Sequence, residues 1–347
     1  MKKSTTGISR IFNTMIQRFA CILFLSAIAP HLFSQLIPKL GKQRAGISAL
    51  TFLKIDPSPR SSAMGGANLT LPGDGFSAYY NPAGISELQH TTFTGSNAFW
   101  VAGINVAFAS VAKEFGKAGH FALSTTSLTT GKMERRTEFQ PGGTGEYFYA
   151  SNTAIGLSYS RKLTDWFSFG GTIKYVHEQL AEYSAQTALL DLGFLYTTDF
   201  KNLRFAVLLQ NFGTDSRLKG SYSPAGLQPR EVVIGSYPAP TVFELGISMV
   251  PWKTENHSLL TAVQLNHPND NAENIRLGVE YEYKQILFIR AGYKINVRDQ
   301  NYPAFGAGLR TRIGKHPLQL DFGSDPTRYL GWMHRAGITF SLNKDER

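Results

Sequence analysis

The sequence predicts an all-β protein, an antiparallel transmembrane β-barrel of about 14 strands with an N-terminal segment folded into its lumen. Three observations carry this. From about residue 90 onward, short segments alternate apolar and polar residues with period 2 and are separated by turn signals. The connections between them alternate short and long. The stretch from Phe52 to Gly84 is irregular yet rich in Leu, Met, Phe and Tyr, so it needs a container.

Composition agrees. Of 347 residues 33 are Gly, aromatics make up 12% and charged residues only 17%, a profile that leans toward a β-rich membrane or extracellular protein. Mean hydropathy is slightly negative, which excludes a stack of transmembrane helices and suits a barrel whose strands expose only every second residue to lipid.

Residues 1–34 read as a secretory signal. Lys2, Lys3, Arg10 and Arg18 form a basic start, and Phe19 to Phe33 is an apolar run too short to span a bilayer as a helix. Cleavage is expected between Ser34 and Gln35. The single cysteine, Cys21, falls inside this segment, so the mature chain holds no disulfide, thiol nucleophile or thiolate ligand. The formal charge of +10 falls to +6 without these four basic residues. The remaining cations form no Lys/Arg run, so outer-membrane lipid, lipopolysaccharide phosphates or an acidic partner are expected rather than nucleic acid.

Residues 35–89 form the expected plug. The barrel follows over 90–342, with strands near 90–100, 103–113, 119–133, 147–162, 166–180, 187–199, 202–212, 242–250, 257–266, 273–284, 286–298, 304–313, 316–323 and 333–342, and a tail at 343–347. The clearest alternation sets Ile275, Leu277, Val279, Tyr281 and Tyr283 against Arg276, Gly278, Glu280 and Glu282. On this reading Arg at Leu277 or Val279 costs about 2–4 kcal/mol at the bilayer midplane and Glu280→Gln costs little. Two joints break the loop pattern: Val101-Ala102 is short where a long loop is due, and Pro251 to Asn256 is long for a turn.

The long connection from Gly213 to Thr241 is apolar for a free loop, and Leu218, Tyr222, Leu227, Val233 and Tyr237 suggest a protein-facing surface. At the C-terminus Arg335, Gly337, Phe340 and Leu342 stand at the spacing that resembles a barrel-assembly signal.

Chemistry beyond this is sparse. The mature histidines do not pair at metal-ligand spacing, so neither a metal nor a cofactor is expected. His120 and Ser124 share a strand face about 13 Å apart, too far for direct proton transfer, and no catalytic residue is assigned. Pro72 to Gly75 reads as a turn rather than a calcium loop. Gly65 and Gly66, beside Met64, read as a close approach of plug backbone to wall. Arg60, a cation in an apolar segment, needs a buried partner, with Glu280, Glu282 and Asp191 as candidates.

Phe52 to Ile55, Arg60, Ala63-Met64-Gly65-Gly66-Ala67 and Ser77 to Asn81-Pro82-Ala83-Gly84 together resemble the N-terminal signature of the PorV/PorQ family of Bacteroidota outer-membrane proteins, within the wider FadL-like group of plugged barrels. Gly84 stands where the type IX secretion member is expected to carry Lys. The resemblance implies an outer-membrane, non-enzymatic accessory of the type IX secretion system, binding translocon or secreted cargo proteins. The Asn81-Pro82-Ala83-Gly84 motif equally resembles a FadL-like channel for hydrophobic small molecules, and both functions stay open at this stage.

Overall fold

The computed structural model describes residues 46–71, 73–222, 230–297, 300 and 302–343. The expected signal segment and its cleavage point lie outside the described residues, as does most of the C-terminal tail.

Eighteen strands are present among the described residues. In chain order they are β1 (Thr91–Phe99), β2 (Asn105–Glu114), β3 (His120–Thr129), β4 (Met133–Glu134), β5 (Tyr147–Phe148) and β6 (Ala150–Lys162). Next come β7 (Phe167–Leu180), β8 (Tyr183–Thr197), β9 (Arg204–Gly213), β10 (Ser216–Tyr222), β11 (Arg230–Tyr237) and β12 (Val242–Lys253). The last are β13 (His257–Pro268), β14 (Asn274–Tyr283), β15 (Leu287–Ile295), β16 (Ala304–Ile313), β17 (His316–Thr327) and β18 (Gly331–Leu342).

Fourteen of these close into one antiparallel barrel. The ladder runs β1-β2-β3-β6-β7-β8-β9-β12 and on through β13 to β18, and β18 pairs back onto β1. Closure leaves no free edge among the wall strands, so every ladder group can be satisfied inside lipid. Outward positions carry Phe243, Leu245 and Ile247 on β12, Ile275, Leu277 and Val279 on β14, and Leu287, Ile289 and Ile295 on β15, all exposed. That apolar outer surface on a closed ladder makes the chain an outer-membrane β-barrel.

Turns such as Thr254–Asn256 and Lys284–Ile286 are short and lie at one end, while the connections at 130–149, 214–241 and 296–303 lie at the other. The short-turn end is periplasmic in such barrels. Pro251 belongs to β12, so the joint before β13 is an ordinary tight turn. Val101–Gly103 remains short, a single 3-10 turn with Ala102 at φ 55.

The connection from Gly213 to Thr241 differs from the expected loop. It folds into the β10–β11 hairpin, which extends the wall by pairing Lys219 and Gly220 with Ser184 and Tyr183 at the outer end of β8. Leu218, Val233 and Tyr237 thus lie in paired strands instead of irregular backbone: Leu218 opposes Ile234, Lys219 opposes Val233 and Ser216 opposes Tyr237.

The expected plug is described from residue 46, residues 35–45 lying outside the described residues; residues 46–71 and 73–90 lie inside the barrel and are nearly all buried. It contains a 3-10 turn at Thr51–Lys54, α1 (Pro59–Ala63), α2 (Ser77–Tyr80) and a 3-10 turn at Pro82–Glu87. Ser58 caps α1 by accepting from Ser61 N, and Pro59 supplies a preset φ at its first position. The helix ends where Gly65 and Gly66 take φ of 65° and 79°, and Gly66 N closes onto Ser61 O at 2.8 Å. Phe52, Met64, Leu69, Phe76 and Ile85 sit in separate apolar clusters shared with inward wall residues such as Val106, Leu260, Leu208, Phe108 and Ala122.

Candidate functional site

The lumen is the candidate site, and its geometry follows from how the plug is seated. Inward wall positions under α1 are glycines: Gly278 on β14, Gly292 on β15, Gly306 on β16, Gly323 on β17 and Gly337 on β18. Gly278 pairs with Gly292, and Gly306 with Gly323, so the small residues form one continuous floor. A Cβ at Gly292 would overlap the Met64 carbonyl carbon and Gly65 nitrogen, and one at Gly337 would stand 2.9 Å from the Pro59 ring. Across the lumen Gly170 and Gly193 clear the same kind of space for Pro82 and Asn81. Only residues without a Cβ let plug backbone lie this close to a strand.

Wall side chains complete the plug's backbone hydrogen bonds. Gln264 Oε1 accepts from Asn68 N and Leu69 N, both at 3.0 Å. Gln210 Nε2 donates to Tyr79 O at 2.9 Å, Arg335 Nε to Asp56 O at 2.7 Å, and Ser160 Oγ to Ala83 O at 3.1 Å. The Ser86 and Ser168 hydroxyls meet at 2.9 Å. Irregular backbone at membrane depth persists only where such partners exist.

Arg60 reaches Glu280 through two contacts, Nε to Oε2 at 2.8 Å and Nη2 to Oε1 at 2.6 Å, with Asp74 Oδ2 at 3.4 Å from Nη1. Glu280 also takes Arg290 Nε at 2.6 Å, and Arg290 Nη1 reaches Asp321 at 2.6 Å. The result is an alternating chain Asp74–Arg60–Glu280–Arg290–Asp321, buried throughout. Of the other candidates for Arg60, Asp191 pairs with Lys174 at 2.5 Å and Glu282 lines the lumen on the periplasmic side.

The remaining predicted residues fall as follows. Asn81 caps the turn that starts at Pro82, its Oδ1 accepting from Ala83 N at 3.1 Å while its Nδ2 donates to Leu69 O. Gly84 packs on Ser77 within the plug. Val233 and Tyr237 are exposed on the β10–β11 hairpin and Leu218 is half-buried. Leu227 lies outside the described residues, and Tyr222 is described only as part of β10. Arg335 and Gly337 face inward and contact the plug, while Phe340 meets His316 edge-on and Leu342 points outward. The first pair thus has a docking role that the spacing did not indicate. His120 Nε2 lies 3.1 Å from Leu88 O at the end of the plug, whereas the Ser124 hydroxyl contacts Gly156 O at 3.5 Å, so the two do not form a pair. Asp74, in the expected turn, accepts from Phe76 N at 2.9 Å as well as facing Arg60. Among the described residues no cluster of His, Cys, Asp or Glu could hold a metal.

The plug divides the lumen. A chamber of about 300 Å³ lies toward the long loops, lined by Tyr79, Tyr80, Glu244, Asn266 and Asp270 among others. A wider one of about 1090 Å³ lies toward the short turns, bounded by Arg60, Glu280, Phe288, Arg310 and Gln319 on its inner side.

No family model matches the chain, and no curated protein sequence matches it either. Solved structures do. The chain is similar to the toluene transporter TodX of Pseudomonas putida, with TM-score 0.56 at 12% identity over 89% of this chain and 100% of that one. It is similar to the CymD monoaromatic hydrocarbon channel, with TM-score 0.54 at 12% identity over 83% and 98% of the two chains. For the toluene transporter TbuX of Ralstonia pickettii the values are 0.51, 12%, 82% and 96%. At this identity the likeness establishes the fold, a FadL-like barrel.

Proposed function

We propose that the protein is an outer-membrane conduit for small hydrophobic molecules, opened by movement of the plug. The observation that carries this reading is the seating of a compact plug across the middle of a closed barrel, with a chamber on each side of it. The structures of similar fold are described as a toluene transporter and a monoaromatic hydrocarbon channel, which supports the same reading. Charged and amide side chains stand in both chambers, while the plug's own apolar side chains are packed against the wall, so the plug holds apolar surface that a hydrophobic solute needs. Passage therefore requires the plug to shift, including the segment around Asn81-Pro82 that packs on Gly193 and Gly170 of the wall.

A second reading, an accessory of type IX secretion that holds cargo or a translocon partner, is favoured by the hairpin. Val233, Ile234 and Tyr237 are exposed there, beyond the wall proper, and exposed apolar side chains on a projecting hairpin suit a protein partner. The N-terminal signature supports it as well.

One experiment separates the two. Strains carrying the intact protein, no protein, or a deletion of Leu218 to Tyr237 are assayed for uptake of labelled toluene and fatty acid and for proteins that co-purify from detergent-solubilised outer membrane. The conduit reading expects uptake that depends on the protein and survives the deletion. No protein-dependent uptake, with a partner lost on deletion, establishes the secretion reading instead.

A further inference from the structure

The outward face of the wall carries almost no charge. Across the fourteen wall strands no aspartate or glutamate points outward, and of the lysines and arginines only Lys113 and Arg161 do, the rest alternating onto the lumen side. Ala112 packs with Ala78 and Ile85 of the plug, which turns Lys113 out. Ser160 Oγ donates to Ala83 O of the plug, which turns Arg161 out. The two cations stand at the short-turn ends of β2 and β6, on either side of β3. That is the periplasmic end of the barrel.

Neither cation has an ion-pair partner among the described residues. Lys113 Nζ lies 5.3 Å from the centre of the Phe115 ring. At the long-loop end, by contrast, Arg135 faces Glu146 at 3.6 Å and Glu182 at 3.1 Å. Unpaired cations at the edge of the hydrocarbon attract the headgroup phosphates of that leaflet. The strands that carry Lys113 and Arg161 are two ladder spacings apart, about 10 Å, a span that two long side chains can close on one phosphate.

The surface beside them suits a lipid. Phe121 on β3 and Tyr159 on β6 continue the row that starts at Lys113, with ring centres 5.1 Å apart, and Phe169 on β7 pairs with Arg161. Aromatic rings of this kind sit at headgroup level. Gly171 follows Tyr159 in the same row and has no side chain, so a notch opens between Phe169 and Ile173. One step toward the middle of the wall, Val111, Leu123, Leu157 and Ile173 form the next row. The last three are 52%, 59% and 66% exposed, an aliphatic surface at the depth of acyl chains.

We propose that the outer face of β2, β3, β6 and β7 binds an anionic phospholipid of the periplasmic leaflet. Its phosphate lies between Lys113 and Arg161, and an acyl chain runs over Gly171 and the Leu123, Leu157 and Ile173 side chains. Arg161 meets two phosphate oxygens through its planar fork. A zwitterionic headgroup brings its own cation and gains less from the pair. The site is outside the barrel and stands independently of which molecule the plug admits.

The test is native mass spectrometry of the purified barrel with phosphatidylglycerol, phosphatidylethanolamine or lipid A added at equal concentration. Folding of each variant is checked by heat-modifiable gel mobility. Phosphatidylglycerol should be retained in preference to both of the others. The Lys113→Gln, Arg161→Gln double variant should lower its retention about tenfold and leave phosphatidylethanolamine unchanged. The two single variants serve if the double one does not assemble, each with a smaller loss. Arg135→Gln, Arg136→Gln, which removes the same charge at the long-loop end, should have no effect. Equal retention of phosphatidylglycerol and phosphatidylethanolamine, tighter retention of lipid A, unchanged retention in the folded Lys113 and Arg161 variants, or an equal loss in the Arg135→Gln, Arg136→Gln protein overturns the proposal.

Discussion

Arg60 of the plug and Glu280 of β14, 220 residues apart in sequence, form a two-pronged ion pair with contacts of 2.8 and 2.6 Å inside the barrel. Fork-to-fork geometry of this kind fixes orientation as well as distance. The pair locks α1 to one position on the wall, directly above the glycine floor.

Glu280→Gln should be among the most damaging single substitutions in the lumen. The expectation drawn from strand alternation alone, that it costs little, is overturned because Glu280 serves both Arg60 and Arg290. Leaving two buried guanidinium groups short of a carboxylate should cost about 3–5 kcal/mol. The shift in the urea midpoint of refolded barrel in detergent or lipid measures it, and a change below about 1 kcal/mol would place the weight of the plug elsewhere.

On the opposite face of the same strand, Leu277→Arg or Val279→Arg should cost about 2–4 kcal/mol at the bilayer midplane. Both side chains are exposed on the outer wall. Insertion into lipid vesicles with equilibrium unfolding gives the number. Equal tolerance at Leu277 and at an exposed loop position would contradict the lipid-facing assignment.

Gly292→Val should dislodge the plug while leaving the ladder intact, since β15 gains a strand-favouring residue but its side chain overlaps Met64 and Gly65. Raised single-channel conductance in planar bilayers, with the folded barrel still heat-modifiable, is the expected result. Conductance equal to that of the parent protein would mean that the plug is not seated there.

The wall was legible in the sequence because alternation with period 2 leaves a direct trace: each of the expected strands overlaps one of the barrel strands from β1 to β18. The plug was legible as an apolar segment lacking any period. Arg60 was recognisable as needing a partner, but the choice of Glu280 over Glu282 or Asp191 was not. That choice depends on the depth at which α1 rests, which Gly278, Gly292, Gly306 and Gly323 decide jointly across four strands. The Glu280–Arg290 contact could have been found, because counting back from the turn around Gln285 places the two opposite each other. Asp321, three strands from Glu280 and two from Arg290, required the shear of the whole sheet. The β10–β11 hairpin escaped because its apolar residues suggested a contact surface rather than strands, and only its pairing with the outer end of β8 shows that it extends the sheet beyond the closed wall.

The central claim, that passage requires the plug to move, is tested most directly by tethering it. Beyond Cys21 the chain has no cysteine, and the Ser86 and Ser168 hydroxyls, one on the plug and one on β7, lie 2.9 Å apart. Replacing both by Cys should form a disulfide with little distortion. Uptake of labelled toluene by cells carrying the Ser86→Cys, Ser168→Cys protein, before and after reduction, is the measurement. The account predicts uptake at the level of a strain lacking the protein when oxidised and at the parent level once reduced. Uptake at the parent level in the oxidised, fully tethered protein would contradict it.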